Sequence, residues 1–374
     1  MLDLLIKGGR VFDPANNIDA VMNIGVKDGL IVSANVDDPA DHTIDAKGCI
    51  VAPGFIDVHT HLWPLTDMGV QVESTCFPSC VTTAIDAGSC GCSTYENFRP
   101  AIQGMRVDVK ALLNVCSAGL TAFRTKVEYL DPSLYKKQNI KYLAKRYPDE
   151  IVGLKIRMGK ETALDMGLEP LKAAKEISKE TGLPLVVHST NPSVPMKELI
   201  GCLEKDDVLA HAYHGHGNTL MQDNGFEALE AARKRGVFVD VGDAAWHINF
   251  DIMKEALRLG LGPDTISTDL TDKGVYKKGR TFHLLHCMSR WLNVGMPLED
   301  VLRCVTVNAA KELKLGSDAG HLTCGTAADI AIVRMEEAEI EFTDGNGCSL
   351  QADRIIRPLA TIKDGRIVYR DVAF

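Results

Sequence analysis

The 374-residue chain predicts an α/β fold: a TIM-type (β/α)₈ barrel carrying a small β-sandwich built from both ends of the sequence. Three observations predict it. Short apolar runs alternate with amphipathic helical stretches through the middle, both ends carry alternating strands punctuated by glycine, and ligand-type residues recur where the central runs stop. Eight strand–helix units suit the length of one barrel, and 45% hydrophobic residues supply a core of that size. A doubly wound open sheet is the rival architecture.

At the N-terminus LLIKGGRVF, MNIGVKDGLIVSA and HTIDAKGCIVAPGF read as short strands, with Gly8-Gly9 and Asp28-Gly29 as expected hairpin turns. ADIAIVRM, the Asp344-Gly345 turn and PLATIKDGRIVYR repeat that texture at the C-terminus. Neither end can enclose a core alone, so residues 1–53 and 323–374 are expected to share one discontinuous domain, leaving 54–322 for the barrel. The barrel strands expected in order are GFIDVHT, VTTAIDAGS, VKALLNVCSAG, IVGLKIR, PLVVHS, DVLAHA, GVFVDVGD and DTISTD. Between them LEPLKAAKEISKETG places Leu171, Ala174 and Ile177 at helical spacing ahead of a stop at Gly182, and GFEALEAARKRG reads as a second helix.

Composition excludes several classes. Lys and Arg total 41 against 50 Asp and Glu, a formal charge of -9, which gives no broad positive field for a phosphate backbone and argues against nucleic acid as a partner. MLDLLIKGGRVFDP lacks the apolar stretch of roughly 7 to 15 residues that a signal peptide needs, and no run approaches the roughly 20 apolar residues of a membrane span. A soluble, cytoplasmic protein acting on a small molecule is the expectation, with the oligomeric state left open, a homo-oligomer included. Eleven scattered cysteines argue for reduced thiols, and the spacing of Cys76, Cys80, Cys90 and Cys92 lacks the paired C-x₂-C pattern of a structural zinc site, so they read as packing residues.

The chemistry sits at strand ends. His59 and His61 end the first strand and project to one side, because side chains alternate along a strand. The fourth strand ends in Lys155, the fifth in His188, the sixth in His211 and the eighth in Asp269, all at the barrel rim where reactive groups gather. With VAPGFIDVHTH, VTTAIDAGS, HSTNP, VTVNAAKELKL and GHLTCGTAADIAIV, this set resembles the amidohydrolase superfamily over essentially the whole chain, in texture its amidohydrolase/deacetylase group, related to dihydroorotases. The resemblance implies two zinc ions: His59, His61 and Asp269 on one, His188 and His211 on the other, and a carboxylated Lys155 bridging both. A carbamate offers two oxygens that two cations can share, and burial favours the neutral amine that takes up carbon dioxide. It also implies a water activated between the cations as nucleophile, with Asp269 as catalytic acid and base.

The substrate is read less directly. His211 is preferred to His214 as the sixth-strand ligand because it comes first after the apolar residues, and His214 is left as a substrate contact; His216 reads as loop. Arg157 shares the face of Lys155 and either grips a substrate carboxylate or forms a surface ion pair. Dihydroorotases follow their HxH with an arginine, whereas Leu62 and Trp63 stand here, and the superfamily's mononuclear deaminases lack the bridging lysine. Hydrolysis of an N-acetyl amino acid or an acetylated 2-hydroxy acid is the expected reaction. The alternatives are a cyclic amide hydrolase of the dihydroorotase or hydantoinase type and a non-catalytic barrel homologue. His247 either lines the pocket or packs, His283 and His286 read as helix surface, and His42 and His321 take no role.

Overall fold

The computed structural model describes residues 1–64, 66, 68–121, 128, 130–276, 281–315 and 319–374. Strands β1 (Leu2–Asp13), β2 (Ile18–Lys27), β3 (Leu30–Val32), β4 (Ala40–Asp45) and β5 (Ile50–Pro53) precede the barrel. Strands β6 (Phe55–Thr60), β7 (Val81–Asp86), β8 (Asp108–Asn114), β9 (Ile151–Arg157), β10 (Leu185–His188), β11 (Val208–Ala210) and β12 (Phe238–Asp240) pair in parallel, each with the next. Strands β13 (Ile330–Thr343), β14 (Ser349–Lys363) and β15 (Arg366–Arg370) return to the first group.

The two ends share one mixed sheet in the order β15-β14-β13-β5-β1-β2-β3, with β4 beside β1. The junction is β5, parallel to β1 and antiparallel to β13, so Val51 faces Val11 on one side and Ile332 on the other. The sheet curls round a buried cluster that draws Leu4, Ile24, Ile44, Val51, Ile330 and Ile362 from six strands. Asp28-Gly29 and Asp364-Gly365 turn β2 into β3 and β14 into β15. Gly8-Gly9 does not turn the chain. β1 runs through it with a bulge between Ile6 and Gly9, and a Cβ at Gly9 would collide with Val51, so the glycines serve close packing and a kink.

The barrel is a TIM barrel whose eighth strand is irregular. Residues 264–270 make single bridges, Thr265 to Asp240 and Leu270 to Thr60, and close the ring through Val241 N–H to Thr265 O at 3.1 Å and Asp269 N–H to His59 O at 2.7 Å. A regular ladder stops there because Asp269 takes a left-handed φ of +47°. Ile56, Val58, Ile85, Leu112, Val186 and Val208 fill the interior, and helix α4 (Val307–Glu312) plugs it with Ala309. Of the outer helices, α1 (Glu169–Thr181) opens with Pro170 in its first turn and ends at Gly182 with φ +72°, and α2 (Gly225–Lys234) buries Phe226 and Leu229.

Helix α3 (Leu284–Val294) fastens the two parts together: Ser289 Oγ accepts from Ile356 N–H at 3.0 Å, and Asn293 Nδ2 donates to Arg354 O at 2.8 Å. His283 and His286 are therefore not helix surface. His283 caps α3, and His286 packs between the rings of Phe282 and Phe342, because the β13–β14 hairpin lies over this helix. All eleven cysteines are free thiols, with Cys76, Cys80 and Cys90 buried in the core. Among the described residues no helix is long and apolar enough to cross a membrane.

Candidate active site

His59 and His61 leave β6 on one side of the strand, and Asp57, two residues earlier, accepts from the Thr268 hydroxyl at 2.7 Å and the Thr268 N–H at 3.1 Å. That staple draws the eighth strand against the first, so Asp269 Oδ1 lies 3.1 Å from His61 Nε2 and 3.7 Å from His59 Nε2. Lys155 Nζ reaches His59 Nε2 at 3.0 Å. On the far side Asp269 Oδ2 lies 3.1 Å from His247 Nε2, and the ring of His211 sits 4.1 Å from that of His247 and 4.4 Å from that of His188, centroid to centroid. His59, His61, Lys155, His188, His211, His247 and Asp269 line one cavity of about 740 Å³, with Met68, Leu120 and Trp246 as apolar walls.

Four of the imidazoles have their outer nitrogens held. His59 Nδ1 meets Asp240 Oδ2 at 3.0 Å, His211 Nδ1 meets Gly242 O at 2.8 Å, His61 Nδ1 meets Ser89 Oγ at 2.9 Å, and His247 Nδ1 meets Thr190 Oγ1 at 2.7 Å. A carboxylate and a carbonyl only accept, so His59 and His211 donate from Nδ1 and turn the lone pair of Nε2 inward. Among the described residues buried His211 Nε2 has no partner, while His59 Nε2 has Lys155 Nζ at 3.0 Å and a carboxylate oxygen at 3.7 Å. A cation would satisfy the lone pair of His211. The ligand atoms of His59, His61 and Asp269 lie within 4.8 Å of one another, as do those of His211, His247 and Asp269, so the residues present fit a metal centre.

Burial sets the protonation states. It pulls Lys155 down to about 8, against the opposing pull of Asp269 and Asp240. It pushes His188 and His211 well below the usual imidazole range, helped by Arg157 for the first and His247 for the second, and it lowers His59, with Lys155 adding to the effect. Neutral imidazole is the form that ligates a metal.

The structure brings His59, His61, Lys155, His188, His211 and Asp269 to one cavity, although His188 stands outside both tight groups among the described residues. His214 is placed away from the cavity. It has no exposed surface and does not line the cavity, because His211 adopts a left-handed φ of +65° and the chain carries residue 214 behind it. Arg157 is no surface ion pair: it is 9% exposed, donating from Nη1 to Glu128 at 3.0 Å and from Nη2 to Glu161 at 3.3 Å, with Glu128 also held by Asn114. Sequence reasoning missed Asp240, Ser89, Thr190 and Glu128. Only Asp240 left a signal, since it ends the seventh strand as the ligands end theirs.

The model of the amidohydrolase family matches residues 50–368. A protein named deacetylase from Brucella anthropi is 32% identical over 91% of this chain and 86% of its own length, and one of the same name from Enterococcus faecalis is 30% identical over 98% of both. A dihydroorotase of Syntrophotalea carbinolica is 25% identical over 99% of each chain. Two solved structures, described as an adenine deaminase and a dihydroorotase, superpose with TM-scores of 0.90 at 29% identity, the first over 99% of this chain and 100% of its own, the second over 97% and 98%. With strand-end histidines, lysine and aspartate gathered in one barrel mouth, the chain belongs to the amidohydrolase family and is a hydrolase of C–N bonds.

Proposed function

We propose that this enzyme is a binuclear zinc deacetylase that hydrolyses the amide of N-acetyl amino acids or the ester of acetylated 2-hydroxy acids. The observation that carries the reading is the inward-facing Nε2 of His59 and His211, their outer nitrogens held, beside Asp269 and a buried Lys155. His59, His61 and Asp269 would hold one zinc, His188 and His211 the other, and Lys155, as its carbamate, would stand between them. When bound, the metal pair supplies Lewis acidity toward the scissile carbonyl and lowers the pKa of water.

Asp269 takes the proton of the attacking water on one carboxylate oxygen and returns it to the leaving nitrogen or oxygen as the tetrahedral carbon collapses. His61 and His247 flank its two oxygens and fix their direction. Lys155, at about 8 rather than the usual lysine value, reaches the neutral amine at modest cost. Met68, Leu120 and Trp246 exclude water from the acyl group, and Arg157, on the cavity wall, is the candidate contact for a substrate carboxylate. Residues 54–322 form the catalytic unit on this reading. Free thiols throughout fit a reducing compartment, and we place the enzyme in the cytoplasm on that ground.

The two deacetylase-named relatives support the acyl-transfer reading, and the buried Leu62 after His61 gives a cyclic carboxylate no arginine there. The deciding experiment offers zinc-loaded protein a panel of N-acetyl amino acids, acetylated 2-hydroxy acids and cyclic imides or dihydroorotate. Release of acetate from the first two sets is expected. Ring opening in the third without acetate release would replace this reading with a cyclic amide hydrolase.

A further inference from the structure

We infer that Glu312 is a resident neutral carboxylic acid inside the barrel, the donor at the far end of a chain that runs through Thr265 and Asp240 to His59. Glu312 ends helix α4, the plug of the barrel interior, and is 1% exposed among Ala309, Leu313 and the apolar interior layer. Thr265 Oγ1 lies 2.7 Å from Glu312 Oε2 and 3.1 Å from Asp240 Oδ1. A hydroxyl has a single proton, so it cannot donate to two carboxylates. Were both acids ionised, one would face the oxygen lone pairs across an apolar interior, at the cost of an unpaired buried charge.

A proton on one carboxyl resolves the conflict, and the surroundings select Glu312. Asp240 also receives the Ser267 hydroxyl at 2.6 Å and His59 Nδ1 at 3.0 Å, so its negative charge is well solvated by donors. Among the described residues Glu312 has the Thr265 hydroxyl as its hydrogen-bond partner, beside apolar neighbours. The charged groups that act on it are Asp240 on β12, Asp264 at the start of the eighth strand, itself paired with Arg233, and Lys155 on β9; burial is the largest influence, and with Asp240 it raises the Glu312 carboxyl well above its ordinary range. The proton then passes no further than Thr265: Glu312 donates to Thr265, Thr265 donates to Asp240 Oδ1, and Asp240 Oδ2 accepts from His59 Nδ1, which keeps Nε2 turned inward. Glu312 is thus a positioning residue for His59, acting through two intermediates. Only that consequence rests on the metallohydrolase reading; the place of the proton does not.

The test is infrared difference spectroscopy of wild type against Glu312→Gln at neutral pH, with and without zinc. A protonated-carboxyl carbonyl stretch is expected in wild type and absent from the variant; the Asp57 carboxyl, raised to about 7, is common to both and cancels. Thr265→Val, which keeps the acid and removes its acceptor, should move the same band to higher frequency. A second measurement follows from linkage. The unfolded chain releases this proton near pH 4.3 while the folded chain keeps it, so stability falls as pH rises, and the unfolding constant of wild type relative to Glu312→Gln should grow about tenfold per pH unit between about pH 5 and the folded pKa. A spectrum with no carboxyl band lost in Glu312→Gln, or a flat ratio of unfolding constants across that range, overturns the assignment.

Discussion

Lys155 shows why single residues in this site carry chemistry that the neighbouring ones cannot. It is 1% exposed, its Nζ is within hydrogen-bond reach of His59, and an ammonium there would repel any cation bound by the surrounding imidazoles. On the proposed reading, replacing it with Ala removes the metal bridge and should cut kcat/KM by about a thousandfold, roughly 4 kcal/mol of transition-state stabilisation, with partial rescue by short carboxylic acids that can occupy the vacated space. Turnover at the wild-type rate would contradict the assignment. Asp269→Asn keeps the shape but loses the proton acceptor, and should lower kcat by about 10²- to 10⁴-fold while KM changes little; an equal effect on KM and none on kcat would reassign Asp269 to substrate binding. The six ligand-type residues were readable as candidates because each stands at or near the end of an apolar run that reads as a barrel strand, and alternation puts His59 and His61 on one side. His247 was not, since it stands on a loop whose path depends on left-handed Gly242, Ala244 and Ala245, and neither was Glu128, which meets Arg157 from outside any strand or helix.

At the scale of elements, the loop after β12 does what the strand alone cannot. Gly242 takes φ +50° and its carbonyl holds His211, while a Cβ there would collide with the His211 ring and approach His59 Nδ1 to 3.2 Å. On the proposed metal-centre reading, Gly242→Ala should therefore displace both imidazoles and lower metal content and kcat together, as metal analysis beside kinetics would reveal; a variant with full metal and full activity would mean that the loop moves freely. The same loop is anchored by Asp243, which pairs with fully buried Arg290 on α3 and accepts from the Thr281 hydroxyl at 2.6 Å. Elements of this kind explain the misread Gly8-Gly9 and the irregular eighth strand. Composition marks where the backbone departs from regularity, but whether a glycine turns the chain, bulges it or admits a neighbour depends on strands far away in sequence, such as β5 for Gly9.

For the whole molecule, the question is how a barrel and a sheet from both chain ends hold each other. Lys363, at the end of β14 and 3% exposed, meets Asp329 ahead of β13 and Asp108 at the start of β8, each at 2.9 Å, so one buried ammonium ties sheet to barrel. Lys363→Met should lower stability by about 2 to 3 kcal/mol in denaturant unfolding, less than for a fully buried pair because Asp108 is solvated; no change in midpoint would make the pair incidental. The larger dependence is topological. β5 has β1 on one edge and β13 on the other, nearly the full chain apart, so the N-terminal strands complete their core only when Ile330, Ile332 and Ile362 arrive from the C-terminal end. Deleting residues 323–374 would strip β13 from β5, leave an open apolar edge and uncover the face of α3 on which β14 lies. The truncated chain should aggregate or lose cooperative unfolding, as sedimentation and thermal denaturation would record. A soluble truncated barrel that unfolds cooperatively and keeps its activity would show that the discontinuous sheet is an appendage and that the barrel stands alone.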